Sequence, residues 1–192
     1  MIFSETAIEG AYVVEPQRNT DSRGYFVRHW CQREFAQAGL DVQMVQASGS
    51  YSLHRHTVRG MHLQVPPALE AKLIRCTAGA IYDVIVDLRP DSRTFLQHVA
   101  VELTAENGRA LFVPPVCLHG FQTLAERTEV SYMMTGFFDP QRGCGFRWND
   151  PAFGIRWPEP RTIHILPRDA QYEDFSAAAW TRSLAGHGES AS

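Results

Sequence analysis

From Val42 onward the chain is cut into short runs rich in β-branched and aromatic residues, and this interruption limits the fold more than any other feature. The runs cover residues 72–76, 81–88, 97–103, 110–113, 120–124 and 129–134, with Gly, Pro, Asn and Asp between them. Spacing of this kind marks an all-β chain, folded as a sandwich or small barrel, of which the jelly roll is the common single-domain form. In 81–88, Ile81, Asp83, Ile85 and Asp87 alternate with Tyr82, Val84, Val86 and Leu88, so a period of two sets both acids on one face. Glu106-Asn107-Gly108 predicts a tight turn with paired strands on either side.

Helices are few. The sequence predicts one over 32–38, closed by Gly39, and a terminal one over 170–184. Between Asp150-Pro151 and that helix the chain is Pro-rich and irregular, and disorder is expected from about Ala185. The expected organisation is one domain over 1–175, followed by a helix and tail over 176–192.

With 192 residues and 44% hydrophobic composition, one core forms without a disulfide framework. A net charge of -3 with no basic run gives no footprint for nucleic acid or an anionic membrane. No apolar run approaches the ~20 residues of a membrane span, and no leader-like segment opens the sequence, so a soluble cytoplasmic protein is expected. Cys31, Cys76, Cys117 and Cys144 form no Cys-x-x-Cys pair and read as reduced, mostly buried thiols. Among 18 basic residues Lys72 is the only lysine. That singles it out for a task needing a compact, tunable ammonium, although chance in an arginine-rich chain accounts for it equally well.

Polar and titratable side chains concentrate in 46–64, too polar for an ordinary core strand. On a strand His62 faces one side with Gly60 and Gln64, while Met61 and Leu63 face the other. His119 follows Pro114-Pro115 and precedes Gly120, which suggests a rim or cleft rather than the middle of a core. Tyr132 alternates with Ser131 and Met133. Taken alone, each of these side chains fits a structural role as well as a chemical one.

Several short elements occur in order: Asp21-Ser-Arg-Gly-Tyr-Phe26, Arg59-Gly-Met-His-Leu-Gln64, Lys72-Leu-Ile, Tyr82-Asp-Val-Ile-Val-Asp-Leu-Arg89, Ser92-Arg-Thr94, His119-Gly-Phe121, Tyr132 and Trp148-Asn-Asp-Pro151. Together they resemble the dTDP-4-dehydrorhamnose 3,5-epimerase family over residues 3–169. The resemblance implies a jelly-roll, cupin-type β-sandwich, a homodimer, a nucleoside-diphosphate 4-keto-6-deoxy sugar as substrate, and no cofactor. By position in these motifs, His62 is similar to the catalytic base and Asp169 to the carboxylate orienting it. Lys72 matches the lysine near the C4 oxygen, and Tyr132 the phenol on the opposite face. Such chemistry needs a base for a weakly acidic C–H, a cation for the charge growing on the carbonyl oxygen, and an acid on the far face of the ring. Arg23 and Arg59 match positions near the nucleotide and diphosphate, Phe26 and Gln46 positions near the base, and His119 a substrate-binding position.

Three departures stand out. Arg28 replaces an acid near the base, Ser48 replaces an asparagine, and Phe138 lies in a Phe137-Phe138 pair where the family often has a second tyrosine. The first two leave the nucleotide open, GDP or CDP included, and the third leaves open inversion at C3 alone. Other readings are a metal enzyme using His54, His56, His62 and His119, a 3,4-ketoisomerase, and a sugar-nucleotide binding module without catalysis.

Overall fold

The structure, a computed structural model, describes residues 1–188. Its first half contains β1 (Ile2–Glu5), β2 (Tyr12–Glu15), β3 (Arg18–Asp21), β4 (Gly24–Val27), α1 (Gln32–Gln37), β5 (Gln46–Ser52), β6 (Val58–Gln64) and β7 (Lys72–Ala78). There follow β8 (Ala80–Asp87), β9 (His98–Thr104), β10 (Ala110–Val113), β11 (Cys117–Thr123), β12 (Thr128–Met134), β13 (Gly143–Gly145), α2 (Pro167–Ala170) and α3 (Ala177–Gly188). One sheet has the order β1-β2-β10-β7-β12-β5 and the other β13-β6-β11-β8-β9, while β3 and β4 pair only with each other. The two large sheets face one another as the expected jelly-roll sandwich.

Period-two alternation explains why the sheets stack. Ile74 and Cys76 of β7, Ile81 and Ile85 of β8, Leu111 of β10, Phe121 of β11 and Val130 of β12 meet in one core between the sheets. The other face of the five-stranded sheet, with Val84, Val86, Leu63 and Leu118, is covered by Trp148, Phe153, Trp157 and Trp180. Outside the six-stranded sheet, Leu73, Ala110 and Phe112 pack with Phe35 of α1. Covering both sheets on their outer sides leaves β8 buried on both faces, which is why 81–88 carries apolar residues in both of its alternating rows. The inward row of β8 also carries Asp83 and Asp87, both with no solvent exposure.

The helix over 32–38 is present, one residue shorter than expected. Turn chemistry at Asn107 is as expected too: its Oδ1 accepts from the amides of Thr104 and Arg109, and Gly108 has φ +65°. The flanking strands, however, do not pair. β9 pairs with β8, whereas β10 pairs with β2 and β7, so the turn carries the chain between sheets and lets Leu103 and Leu111 face each other across the core.

The terminal helix starts at 177 rather than 170. Phe175 donates its amide to Asp150 Oδ2 at 2.6 Å and packs its ring on Phe146 and Phe153, which holds that stretch extended. Ser176 then accepts from the Ala179 amide as an N-cap. Helix α3 continues through Gly188, where disorder was expected from about Ala185; the rest of that expectation lies outside the described residues. Trp180 anchors α3 by donating its indole N–H to the Leu88 carbonyl at 2.6 Å. No described helix is long and apolar enough to cross a membrane, and all four cysteines are free, with Cys76 and Cys117 buried and the other two half-buried.

Candidate active site

Beside the apolar core, the same inward rows turn polar. Lys72 precedes Ile74 and Cys76 on β7, Tyr132 follows Val130 on β12, His119 lies between Cys117 and Phe121 on β11, and Ser48, Ser50 and Ser52 occupy the even positions of β5. Of these side chains, Lys72, Tyr132, His119, Ser50 and Ser52 line, with Arg59, His62 and Asp169, a cleft of about 560 Å³. That volume suits a small ligand.

His62 and His119 are opposite one another in the β6–β11 register, so both rings point to the same side. A bulge next to them depends on two glycines. A Cβ on Gly60, at φ +129°, would stand 2.6 Å from the Gly120 Cα. The irregularity switches the strand's facing: Val58 and Met61 both enter the outer core, and Arg59 and His62 both line the cleft, although three residues apart on a regular strand would oppose them. His119 therefore sits mid-strand and 6% exposed on the cleft wall, not at a rim turn.

His62 Nε2 lies 3.0 Å from Asp169 Oδ1, across 107 residues of sequence. With Nε2–H donating to the carboxylate, Nδ1 keeps its lone pair. Burial pushes the Asp169 carboxyl up, but hydrogen bonds and charge from His62 and Arg168 outweigh it and hold Asp169 below the ordinary range. Burial raises the Tyr132 phenol, against a weaker lowering from Ser50, whose hydroxyl is 3.0 Å away. The phenol thus keeps its proton at neutral pH. Lys72 Nζ pairs with Glu70 at 3.3 Å.

Two further chambers meet the cleft at Lys72. One, about 570 Å³, is bounded by His62, Gln64, Glu70, Phe138 and Tyr172; the other, about 280 Å³, by Gln46, Ser48, Glu70, Tyr132 and Phe138. Of the residues singled out from the sequence, His62, Lys72, Tyr132, Asp169, Arg59, His119, Gln46, Ser48 and Phe138 thus line the cleft or a chamber that shares Lys72 with it. Arg23, Phe26 and Arg28 do not line it. Arg23 pairs with Asp21 at 2.6 Å, Phe26 is 67% exposed on the β3–β4 hairpin, and Arg28 pairs with Glu34 at 2.9 Å.

Sequence reasoning passed over several members. Asp83 accepts from His119 Nε2 at 2.7 Å, and its alternation on β8 was the available signal. Tyr172 sets its ring edge-on to His62 at 6.0 Å and close against Gly145, where any Cβ would collide with it. No pattern in the sequence pointed to it. His54 and His56 lie in a bend, not on a strand as the metal reading required, and His54 stacks on His164.

Fold and cleft together define a jelly-roll protein equipped to move protons at a carbon acid. The family model described as dTDP-4-dehydrorhamnose 3,5-epimerase matches residues 5–177. A dTDP-4-dehydrorhamnose 3,5-epimerase of Sinorhizobium fredii is 39% identical over 88% of this chain and 87% of its own length. One from Salmonella typhimurium is 39% identical over 88% and 93%. The crystal structure of the Bacillus anthracis enzyme with TDP and PPi bound superposes with a TM-score of 0.87 at 37% identity, covering 91% of this chain and 99% of that one. The chain belongs to the dTDP-4-dehydrorhamnose 3,5-epimerase family.

Proposed function

We propose that the protein is an isomerase that epimerises a dTDP-linked 4-keto-6-deoxyhexose at C3 and C5, the carbons flanking the ketone. The observation that carries this reading is the meeting, in one cleft, of a carboxylate-held imidazole, the ammonium of the chain's one lysine and a protonated phenol. His62 Nδ1 takes the proton as the C–H bond breaks, and the electron pair moves into an enolate whose charge gathers on the C4 oxygen. Lys72 stabilises that charge. Tyr132 then delivers its phenolic proton to the opposite face, forming the new C–H bond, and both side chains re-equilibrate with solvent. No step in this sequence needs a metal or organic cofactor.

Gln46, Ser48 and Phe138, beside Lys72 and Tyr132, suit the nucleotide end of the substrate. Arg23, Phe26 and Arg28 fit the same task only from a second copy, and we assign the protein as a homodimer in which the β3–β4 hairpin of one protomer reaches its partner's cleft. The hairpin's isolation from both sheets and the exposure of Tyr25 and Phe26, at 54% and 67%, support this. Four free cysteines fit the reducing cytoplasm.

Incubation with the dTDP-linked 4-keto-6-deoxyhexose, followed by proton NMR of the product, tests the reading. Inversion at both centres is expected; a product with the ketone moved to C3, or no turnover, overturns it. A second reading, inversion at C3 alone, is favoured by the missing hydroxyl of Phe138, and the same spectrum distinguishes it. Mixing His62→Ala with Arg23→Ala protein tests the shared site: hybrid dimers regain activity if the hairpin serves the partner, and stay inactive if it does not.

A further inference from the structure

The chamber that meets the cleft at His62 and Lys72 has a wall that proton transfer leaves unused. Gly145 of β13 is the register partner of His62 on β6, so the two residues present the same face of the sheet. Having no side chain, Gly145 leaves a slot directly beside the imidazole, and Tyr172, two residues past α2, fills it. A Cβ at 145 would collide with the Tyr172 Cζ and stand 2.7 Å from its Oη, so the hydroxyl end of the ring occupies the slot. One short segment thus sets two groups on one imidazole: Asp169 on Nε2 and, three residues on, the phenol edge-on at 6.0 Å.

The hydroxyl is uncommitted. It bonds to no described residue, and burial raises the phenol against a weaker lowering from Arg168, so it keeps its proton at neutral pH. Other polar groups on this wall are taken. Gln64 donates to the Ala68 and Phe137 carbonyls, both at 3.2 Å, and accepts from the Asp139 amide at 2.6 Å. Glu70 pairs with Lys72, and Arg168 with Asp169. Tyr172 carries the one hydroxyl among the described residues that bound the chamber. An uncharged group that both donates and accepts suits a sugar hydroxyl, which does the same, better than a phosphate, which seeks guanidinium or ammonium charge. Nor can this phenol repeat the part of Tyr132. That side chain stands on the facing sheet, whereas Tyr172 lies on the imidazole's side, from which a returned proton would restore the starting configuration.

We propose that the Tyr172 hydroxyl bonds a ring hydroxyl of the sugar on the face where His62 works, fixing the carbon acid against its base and selecting sugars that carry that hydroxyl. This rests on the proposed function and deepens it with a specificity-determining residue that moves no proton.

Tyr172→Phe tests it, since phenylalanine keeps the ring over Gly145 and removes only the hydroxyl. The probe is a dTDP-linked 6-deoxyhexose with a hydroxyl in place of the ketone, which offers no acidic C–H and is not turned over. Calorimetric titration with it is expected to show about fivefold weaker binding in the variant. Binding of dTDP alone should be equal in the two proteins, and turnover of the keto sugar should show a raised KM with kcat unchanged. Sugar-nucleotide affinity equal in wild type and variant, dTDP affinity falling in step, or no binding of the probe by the wild type would each overturn the contact. The titration involves no turnover, so an epimerase reading that fails, with its substrate recovered unchanged, is told apart from a failed contact.

Discussion

Two histidine–aspartate pairs face the same cleft, and their settings differ. His62–Asp169 joins β6 to α2 at 3.0 Å, with the imidazole 35% exposed and the carboxylate 3%. His119–Asp83 joins neighbouring strands at 2.7 Å, with exposures of 7% and 0%. Burial pushes the Asp83 carboxyl up, resisted by His119 and more weakly by Lys72, and its Oδ2 has no hydrogen-bond partner. Asp169 is held down instead, by His62 and an exposed guanidinium. The same two side chains therefore make a reactive pair where the carboxylate is held ionised and one ring nitrogen can reach a ligand, and a rigid wall where the pair is sealed.

Asp87 extends the comparison. It shares the inward face of β8 with Asp83, yet accepts from Arg89, Ser92 and Thr94. Those bonds overcome its burial and bring its pKa down to about 2. Four residues along one strand thus separate a carboxyl pushed up from one pulled down, because several donors, one of them a guanidinium, reach Asp87.

Substitutions at the two pairs should separate them. His62→Ala is expected to lower kcat about a thousandfold while leaving dTDP affinity unchanged; a loss confined to KM would move the base elsewhere. Asp169→Asn should cost roughly a hundredfold in kcat, because the amide no longer holds the tautomer or the imidazolium charge. Asp83→Asn keeps an acceptor for His119 and a near-identical shape, so a loss of about fivefold is expected. Equal losses at 83 and 169 would erase the distinction. The last effect falls on stability rather than rate: Asp87, depressed from near 3.8 to about 2, contributes about 2 kcal/mol above pH 4, lost as pH falls toward 2. Denaturant titrations from pH 5 to 2 should show a stability slope in the wild type that is shallower in Asp87→Asn, Asp169 and the other depressed carboxylates supplying the remainder.

Much of this was readable in the residues. Alternation in 81–88 set both acids on one face, which the structure turns inward, the run at 110–113 matches β10 end to end, and His62 stands opposite Met61 and Leu63 as its strand required. The pairing of His62 with Asp169 came only through family resemblance, since nothing local encodes a contact across 107 residues. The turn at 106–108 was chemically legible, yet its role was not, because a tight turn looks the same whether it closes a hairpin or crosses between sheets. Residues 171–176 have helical character in isolation and lose it to the Asp150–Phe175 bond. Tyr172 went unseen because its place depends on the bare backbone of Gly145.

The measurement closest to the central claim is hydrogen exchange by Tyr132→Phe in heavy water with the dTDP-linked 4-keto-6-deoxyhexose. Because the imidazole removes the proton on one face and the phenol returns it on the other, this variant should wash deuterium into the position beside the ketone with configuration retained. Inverted product forming at the wild-type rate, or no exchange while His62 remains intact, would contradict the division of labour between the two faces.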